Sequence, residues 1–562
     1  MGALFLMIIT FLGYLLMYKL YGRFLGKKIF ELSSTNIVPS VAQNDGVDFV
    51  PTEKEVIFGH HFTSIAGTGP IVGPAIGIIW GWVPAMIWIF FGSIFMGAVH
   101  DLGTLVISLR NEGKSLSEYT AKYISTRTKM IFFAIIFLEL WLVIAIFGLV
   151  IAVIFKMYPA AVFPVWFEIP IAVTVGILIY KKGWKPLTTG IGAMIIMYVT
   201  VALGYFWQFE MPEIFGIPAT GIWTIILLIY AYIASILPVT ALLQPRDYIN
   251  SHQLIVAMIL LIAGVIAAAF TKDLTIVAPA FSLSPKDAPS MFPFLFITIA
   301  CGAISGFHSL VSSGTSSKQV KCEQDALFVG YGSMLLEGAL ATLVVIAVAA
   351  GIGLSHNGLT GVEAWNSQYS SWSTTQGLGA QITAFVIGSA NMISALKIPE
   401  YIAITVMGVF VASFASTTLD TATRIQRYVV TEIFTGLQLK FLTGKHVCTS
   451  IVVISAALLA FVTGADGKGA LKLWPLFGAI NQALAALALL VVSLYLKQKG
   501  KYKYLVTLIP AVLMTAITIY ATILNEITFI NSDFYLLAVI NTIILFIVLW
   551  ITVEAAITFN KK

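Results

Sequence analysis

Apolar residues run along this chain in long blocks, with polar residues gathered between them. A bilayer-crossing helix needs about 20 mostly apolar residues. Blocks of that kind recur near 3–21, 59–82, 84–109, 130–156, 162–180, 186–207, 220–243, 252–270, 292–314, 326–354, 399–420, 447–464, 471–496, 505–524 and 533–558. The pattern predicts an all-α polytopic membrane protein of about 15 transmembrane helices. The longest hydrophilic stretches, near 29–57 and 355–375, are too short to bury a core of their own.

One block interrupts itself. In "FGHHFTSIAGTGPIVGP", residues 58–74, five of the eight residues 67–74 are Gly or Pro. Each proline lacks an N–H and clashes with the carbonyl four residues back. Unpaired backbone groups survive in hydrocarbon only where protein or a wet cavity satisfies them. The stretch therefore predicts two half-helices, 59–66 and 75–82, with an extended joint at the membrane centre. The second half-helix would aim its positive N-terminal end, near Ala75, at an anion such as a carboxylate. The freed carbonyls suit a cation. His60, His61, Gly67, Thr68, Gly69, Pro70, Gly73 and Ala75 are the candidate substrate-binding residues here. The block 220–243 is the sixth counted from the broken one, and its Pro238 frees the carbonyl of Ala234 with Ser235 alongside. Ser235 and Pro238 complete the candidate site. Broken first and sixth helices of opposite orientation are the pattern of a five-plus-five inverted repeat.

Ser309, Ser312, Ser313 and Ser316 form one hydroxyl stripe on the helix of block 292–314. The stripe reads either as small-residue packing or as a cation site, with Ser309, Ser312 and Ser313 as its ligands. Charges within the blocks are few and costly, about 2.5–3.5 kcal/mol each at mid-membrane. Asp420 has Arg424 four residues on, which predicts a structural ion pair. Asp101, beside His100, is placed for proton relay, and Glu337 is central and unpaired in sequence. These residues are the candidates for ion coupling, with H⁺ or Na⁺ as the ion.

Composition agrees: 59% of the 562 residues are hydrophobic and 10% are charged, against about 25% charged in soluble domains. The net charge of +6 points to no nucleic acid, because its distribution follows the positive-inside rule. Of the 32 Lys and Arg, only Lys156, Lys272, Lys286, Lys397, Lys468 and Lys472 fall on the outside when the N-terminus is outside and the C-terminus inside. That parity requires the apolar stretch 376–396 to be a re-entrant or interfacial segment outside. Residues 424–440 read as an amphipathic helix on the inner surface. Cys301, Cys322 and Cys448 fit neither a disulfide framework nor a zinc site, and no metal or other cofactor is expected.

Together "FGHHFTSIAGTGPIVGP", "GAVHDLGTLVISLRNEGKSL", "LQPRDYIN", "GAISGFHSLVSSGTSSKQ", "YGSMLLEGALA" and "LWPLFGAINQALAALAL" resemble the signature stretches of the carbon starvation protein A family. That resemblance implies a prokaryotic cell-membrane transporter with the LeuT-like inverted-repeat fold of the amino acid–polyamine–organocation transporters. It implies uptake of peptides or, in a close branch, of pyruvate with protons. The family's common "GAVQD" is His100-Asp101 here, a departure at the relay pair. The expected organisation is an extra N-terminal helix (1–28), the first repeat with the sixth core helix (59–243), the rest of the second repeat (252–420), the interfacial helix (424–440) and four C-terminal helices (447–562). The expected partners are membrane lipid and a small carboxylate substrate: a peptide, pyruvate or an amino acid. The expected function is cation-coupled uptake of peptides by alternating access, not enzymatic catalysis. Pyruvate–proton symport and a membrane nutrient sensor without flux are the alternatives.

Overall fold

The computed structural model describes residues 2–375, 377–500 and 502–561. Of the expected segments 1–28, 376–396 and 447–562, residues 1, 376, 501 and 562 lie outside that set. Among the described residues, 14 helices are long and apolar enough to cross a membrane. In chain order the helices are α1 (Gly2–Ile29), α2 (Lys54–Ala66), α3 (Gly69–Gly77), α4 (Trp82–Leu109), α5 (Thr126–Met157), α6 (Pro159–Lys181), α7 (Pro186–Gly204), α8 (Ala219–Ile236) and α9 (Leu243–Thr271). There follow α10 (Met291–Thr298), α11 (Gly306–Gly314), α12 (Glu323–Leu354), α13 (Leu378–Leu396), α14 (Glu400–Gly436), α15 (Lys445–Phe461), α16 (Gly469–Lys497), α17 (Leu505–Asn531) and α18 (Tyr535–Lys561). The chain is a helical, multi-pass membrane protein.

The centre is built from the interrupted helices α2/α3 and α10/α11. The long helices α5 and α14 lie along each other, α9 packs on α2, and α16 packs on α11. Three expectations about elements change. First, the joint in 58–74 is short. Only Gly67 and Thr68 separate α2 from α3, so the second half-helix begins at Gly69 and Ala75 lies inside it. Pro70 falls in the first turn of α3, where no helical bond to its nitrogen is missed.

Second, Pro238 breaks no helix. α8 ends at Ile236, and Leu237, the residue before the proline, is extended with ψ 153°. Residues 237–242 are a connection between spans, so Ser235 and Pro238 mark a helix end. The second interruption lies instead at 299–305, within block 292–314. Third, residues 424–440 form no separate surface helix. α14 continues without a break for 37 residues, to Gly436, and Arg424, Gln426 and Arg427 on it are buried.

α13 lies across one end of the bundle. Near its start, Gly379 faces Met157, the last residue of α5. Further on, Asn391 Nδ2 donates to the carbonyls of Gly351 (3.0 Å) and Ser355 (2.6 Å), at the end of α12. Lys272, just past α9, donates to Ser394 Oγ at 2.8 Å. Both ends of α13 thus meet the C-terminal ends of α5, α9 and α12.

At the opposite end the segment between α1 and α2 folds back as a plug. Val50 N and Thr52 N donate to the carbonyls of Lys318 (3.1 Å) and Gln319 (2.9 Å), just past α11, and Val239 N donates to Val47 O at 3.1 Å. Asp48 accepts from Arg424 Nη1 at 2.9 Å and from the Tyr428 hydroxyl at 2.5 Å. One short segment therefore ties down α11, the α8–α9 corner and α14.

Candidate functional site

Gly67 ends α2 with φ +40°, a conformation that only glycine adopts readily. A Cβ there would lie 2.5 Å from Thr418 Oγ1. That hydroxyl donates to Ser64 O at 3.3 Å, while Ser64 Oγ and Thr421 Oγ1 are 3.0 Å apart, so α14 clasps the end of α2. On the other side of the joint, Ile71 N and Val72 N both donate to Thr68 O. Among the described residues the N–H groups of Thr68 and Gly69 make no hydrogen bond, and the Thr68 side chain caps nothing. These are the free donors at the positive end of α3.

The second interruption faces the first. A Cβ on Gly69 would stand 2.4 Å from Cys301 Sγ, and one on Gly73 would stand 2.7 Å from Thr298 O. A Cβ on Gly302 would in turn lie 3.7 Å from Pro74 Cγ and 3.9 Å from Pro70 Cα, so α3 packs against the second joint. Side chains satisfy the opened backbone at 299–305. Trp88 Nε1 donates to Ile299 O (2.9 Å) and Gln482 Nε2 to Ile304 O (3.0 Å). Asn481 Oδ1 accepts from Ser305 Oγ and from Phe307 N, both at 3.0 Å, and so caps α11.

A cavity of about 580 Å³ opens onto both joints, through Thr68, Gly69, Gly73, Ala300 and Cys301. Its walls carry several aromatic rings, Phe147, Phe294, Trp372, Trp474, Phe477 and Phe529 among them, and among the described residues no Lys, Arg or His lines it. Asp287 is the one carboxylate on its wall. The positive pole available to an anion in this cavity is the start of α3.

Beneath Cys301 lies a buried chain of ionisable groups. His308 Nδ1 is 3.0 Å from Asp101 Oδ2 and His308 Nε2 is 3.5 Å from Glu337 Oε2. Asp101 Oδ1 is 2.8 Å from His100 Nδ1. All four side chains have zero exposure. Cys301 Sγ is 3.5 Å from Ser305 Oγ, the residue that precedes α11 and its His308. The joint that lines the cavity at Ala300 and Cys301 thus leads directly into the first turn of α11 and its buried imidazole, held between two carboxylates.

Of the candidate substrate residues, Thr68, Gly69 and Gly73 line the cavity. Gly67 and Pro70 shape the joint, while the carbonyl of Ala75 accepts from the Tyr369 hydroxyl at 2.6 Å. His60 and His61 face away from the cavity. His60 pairs with Asp247 of α9, with Gln319 Nε2 3.3 Å from its other ring nitrogen, and His61 Nδ1 is 2.8 Å from Ser316 Oγ. Ser235 lies outside the cavity lining, with its buried hydroxyl unpartnered.

Of the candidate coupling residues, Asp101, His100 and Glu337 come together through His308. The serine stripe does not act as a unit. Ser309 Oγ donates to Gly306 O (2.6 Å) and Ser313 Oγ to Ser309 O (2.7 Å), both within their own helix, and Ser312 Oγ has no partner. The expected pair of Asp420 and Arg424 is also replaced. Asp420 Oδ2 accepts from Arg246 Nη1 (2.5 Å) and the Tyr230 hydroxyl (2.8 Å), while Arg424 turns to Asp48. Four residues apart on α14, the two side chains find better-placed partners elsewhere, Asp420 on α8 and α9 and Arg424 in the segment between α1 and α2.

His308, Cys301, Asn481 and the Arg246–Asp247 pair carry site geometry without having been assigned it from sequence. The signal for the second joint was present in "CGAISG", two glycines and a serine in the middle of a span.

A family model described as "Carbon starvation protein CstA" matches residues 2–521. A protein of Campylobacter jejuni named "Peptide transporter CstA" is 35% identical over 93% of this chain and 80% of its own. The "Pyruvate/proton symporter BtsT" of Escherichia coli is 30% identical over 92% of this chain and 81% of its own. Among solved structures, MhsT in complex with L-phenylalanine is similar over 90% of this chain and 99% of its own, with 13% identity and a TM-score of 0.47.

Proposed function

The chain belongs to the carbon starvation protein CstA family, and on that premise we propose that this membrane transporter takes up peptides by alternating access, driven by protons. The observation that carries the reading is the junction at Cys301. There a substrate-sized cavity on two facing helix joints reaches Ala300 and Cys301, and the same joint leads into His308, which lies between Asp101 and Glu337. Ionisable groups inside a membrane are costly and mark ion pathways. A proton on this cluster would answer to what occupies the cavity, and the substrate's carboxylate would sit at the free N–H groups of Thr68 and Gly69. The cavity is taken to face outside, with the plug at 38–52 sealing the inside.

Size supports a peptide over pyruvate. A cavity of about 580 Å³ falls within the range of about 300–1,000 Å³ that takes drug-sized ligands and leaves a three-carbon acid loosely held. The named activity of the Escherichia coli relative keeps pyruvate as the second reading. Protons are favoured over Na⁺ because the buried groups that meet next to the second joint, His308, Asp101 and Glu337, are all titratable. The decisive experiment is uptake of labelled dialanine and pyruvate into proteoliposomes under imposed H⁺ or Na⁺ gradients. Dialanine uptake driven by H⁺ supports the reading. Binding without flux would favour a sensor, and pyruvate-only flux would overturn the peptide assignment.

A further inference from the structure

Helices α17 and α18 follow the last interrupted helix by some two hundred residues, yet they supply one wall of the cavity: Asn525, Thr528 and Phe529 from α17, then Phe534 and Leu537. Asn525 is the unusual member. It is 7% exposed, its Nδ2 has no hydrogen-bond partner, and no hydrogen bond of its side chain occurs among the described residues. Its neighbour Thr528 is already satisfied, donating to Leu524 O at 2.9 Å. The other nearby lining groups, Trp474, Phe477 and Phe529, present rings. A buried amide without a partner costs about 1–3 kcal/mol, and buried polar groups in folded proteins are almost always paired.

A side-chain amide holds a donor and an acceptor on one edge, which is the complement of an N–H and a carboxylate oxygen on the same side of a C-terminal residue. We propose that Asn525 reads the substrate's peptide bond. Oδ1 accepts the peptide N–H and Nδ2 donates to the carboxylate oxygen on the same side of that C-terminal residue, while the start of α3 holds the carboxylate's other oxygen. This two-point grip rests on the transport reading above and gives it a substrate class: short peptides, with monocarboxylates excluded from the N–H contact. It also places the specificity wall past residue 521, where the family match ends. The interrupted helices and the buried relay belong to the shared part.

The test compares dialanine with its ester analogue, in which oxygen replaces the peptide N–H, as substrates of the full chain in proteoliposomes. The wild type is expected to show a KM at least tenfold lower for dialanine than for the ester. In Asn525→Ala and in the near-isosteric Asn525→Leu, that preference should vanish through a rise in the dialanine KM, with Vmax and proton coupling retained. A preference that persists in either variant, or a wild type without one, would overturn the assignment. A fall in Vmax at unchanged KM would do so too, because it would mark Asn525 as structural. Absence of dialanine uptake by the wild type would overturn the transport reading itself.

Discussion

The imidazole of His308 bridges two carboxylates from different helices, Asp101 at 3.0 Å and Glu337 at 3.5 Å. Each such charge costs about 2.5–3.5 kcal/mol at mid-membrane when unpaired, so the three groups stabilise one another only as a set. Replacing His308 with Gln keeps the volume and, on the proposed reading, removes the proton carrier. Uptake driven by a pH gradient should then fall at least tenfold, while counterflow of preloaded peptide, which needs no net proton movement, persists. Retention of gradient-driven uptake by His308→Gln would remove the relay from the mechanism. A second residue-scale expectation concerns packing. Gly69→Ala drives a methyl to 2.4 Å from Cys301 Sγ and 2.5 Å from its Cβ, and overpacking of this kind costs about 1–3 kcal/mol. The variant should melt at a lower temperature than the wild type and bind peptide more weakly, and an unchanged melting profile would contradict the close approach. Asp101 and Glu337 were legible as relay candidates because charges within apolar blocks stand out. Their meeting through His308 was not, since the contacts join α4, α11 and α12 and no sequence spacing records them.

At the scale of elements, the joint between α2 and α3 was visible because glycine and proline announce backbone departures locally. Its length was overestimated: prolines in the first turn of a helix are tolerated, so Pro70 starts α3 where an interior proline would have broken it. Pro238 misled for a related reason, since it ends a helix at a span boundary. The second joint contains no proline at all. Tertiary partners hold it open, namely Trp88, Asn481 and Gln482, and a rule built on proline passes over it. The start of α3 carries a prediction of its own. Free N–H groups at Thr68 and Gly69 would form charge-assisted bonds to a bound carboxylate, roughly twice as strong as neutral ones. A peptide amide should therefore compete for uptake at least tenfold worse than the free acid, a gap of about 1.4 kcal/mol. Equal competition would mean that the carboxylate is not read at this helix end.

Over the whole molecule, the cavity lining includes Asp287, Pro289 and Trp372 from the segments between spans, while residues 38–52 pack at the end of the bundle opposite α13. On the proposed reading, alternating access requires that plug to leave. Its latch is Asp48, held by Arg424 at 2.9 Å with Arg427 at 3.9 Å. Burial pushes the Asp48 carboxyl up, but Arg424, the Tyr428 hydroxyl and Arg427 outweigh it and hold the group below its ordinary value. A carboxyl depressed in the folded state stabilises above its unfolded pKa, about 3.9, and loses that contribution as pH falls through the folded value. Hydrogen exchange at Val50 and Thr52 should therefore stay slow from neutrality down to about pH 4 and accelerate only below it. In Asp48→Asn it should be fast at neutral pH, and slow exchange there would show that the latch is elsewhere. The central claim, that peptide and proton move together through this bundle, is tested most directly by internal pH in proteoliposomes on addition of dialanine. The account predicts acidification in step with uptake in the wild type and none in His308→Gln. Peptide accumulation without acidification, or equal acidification in both proteins, would contradict it.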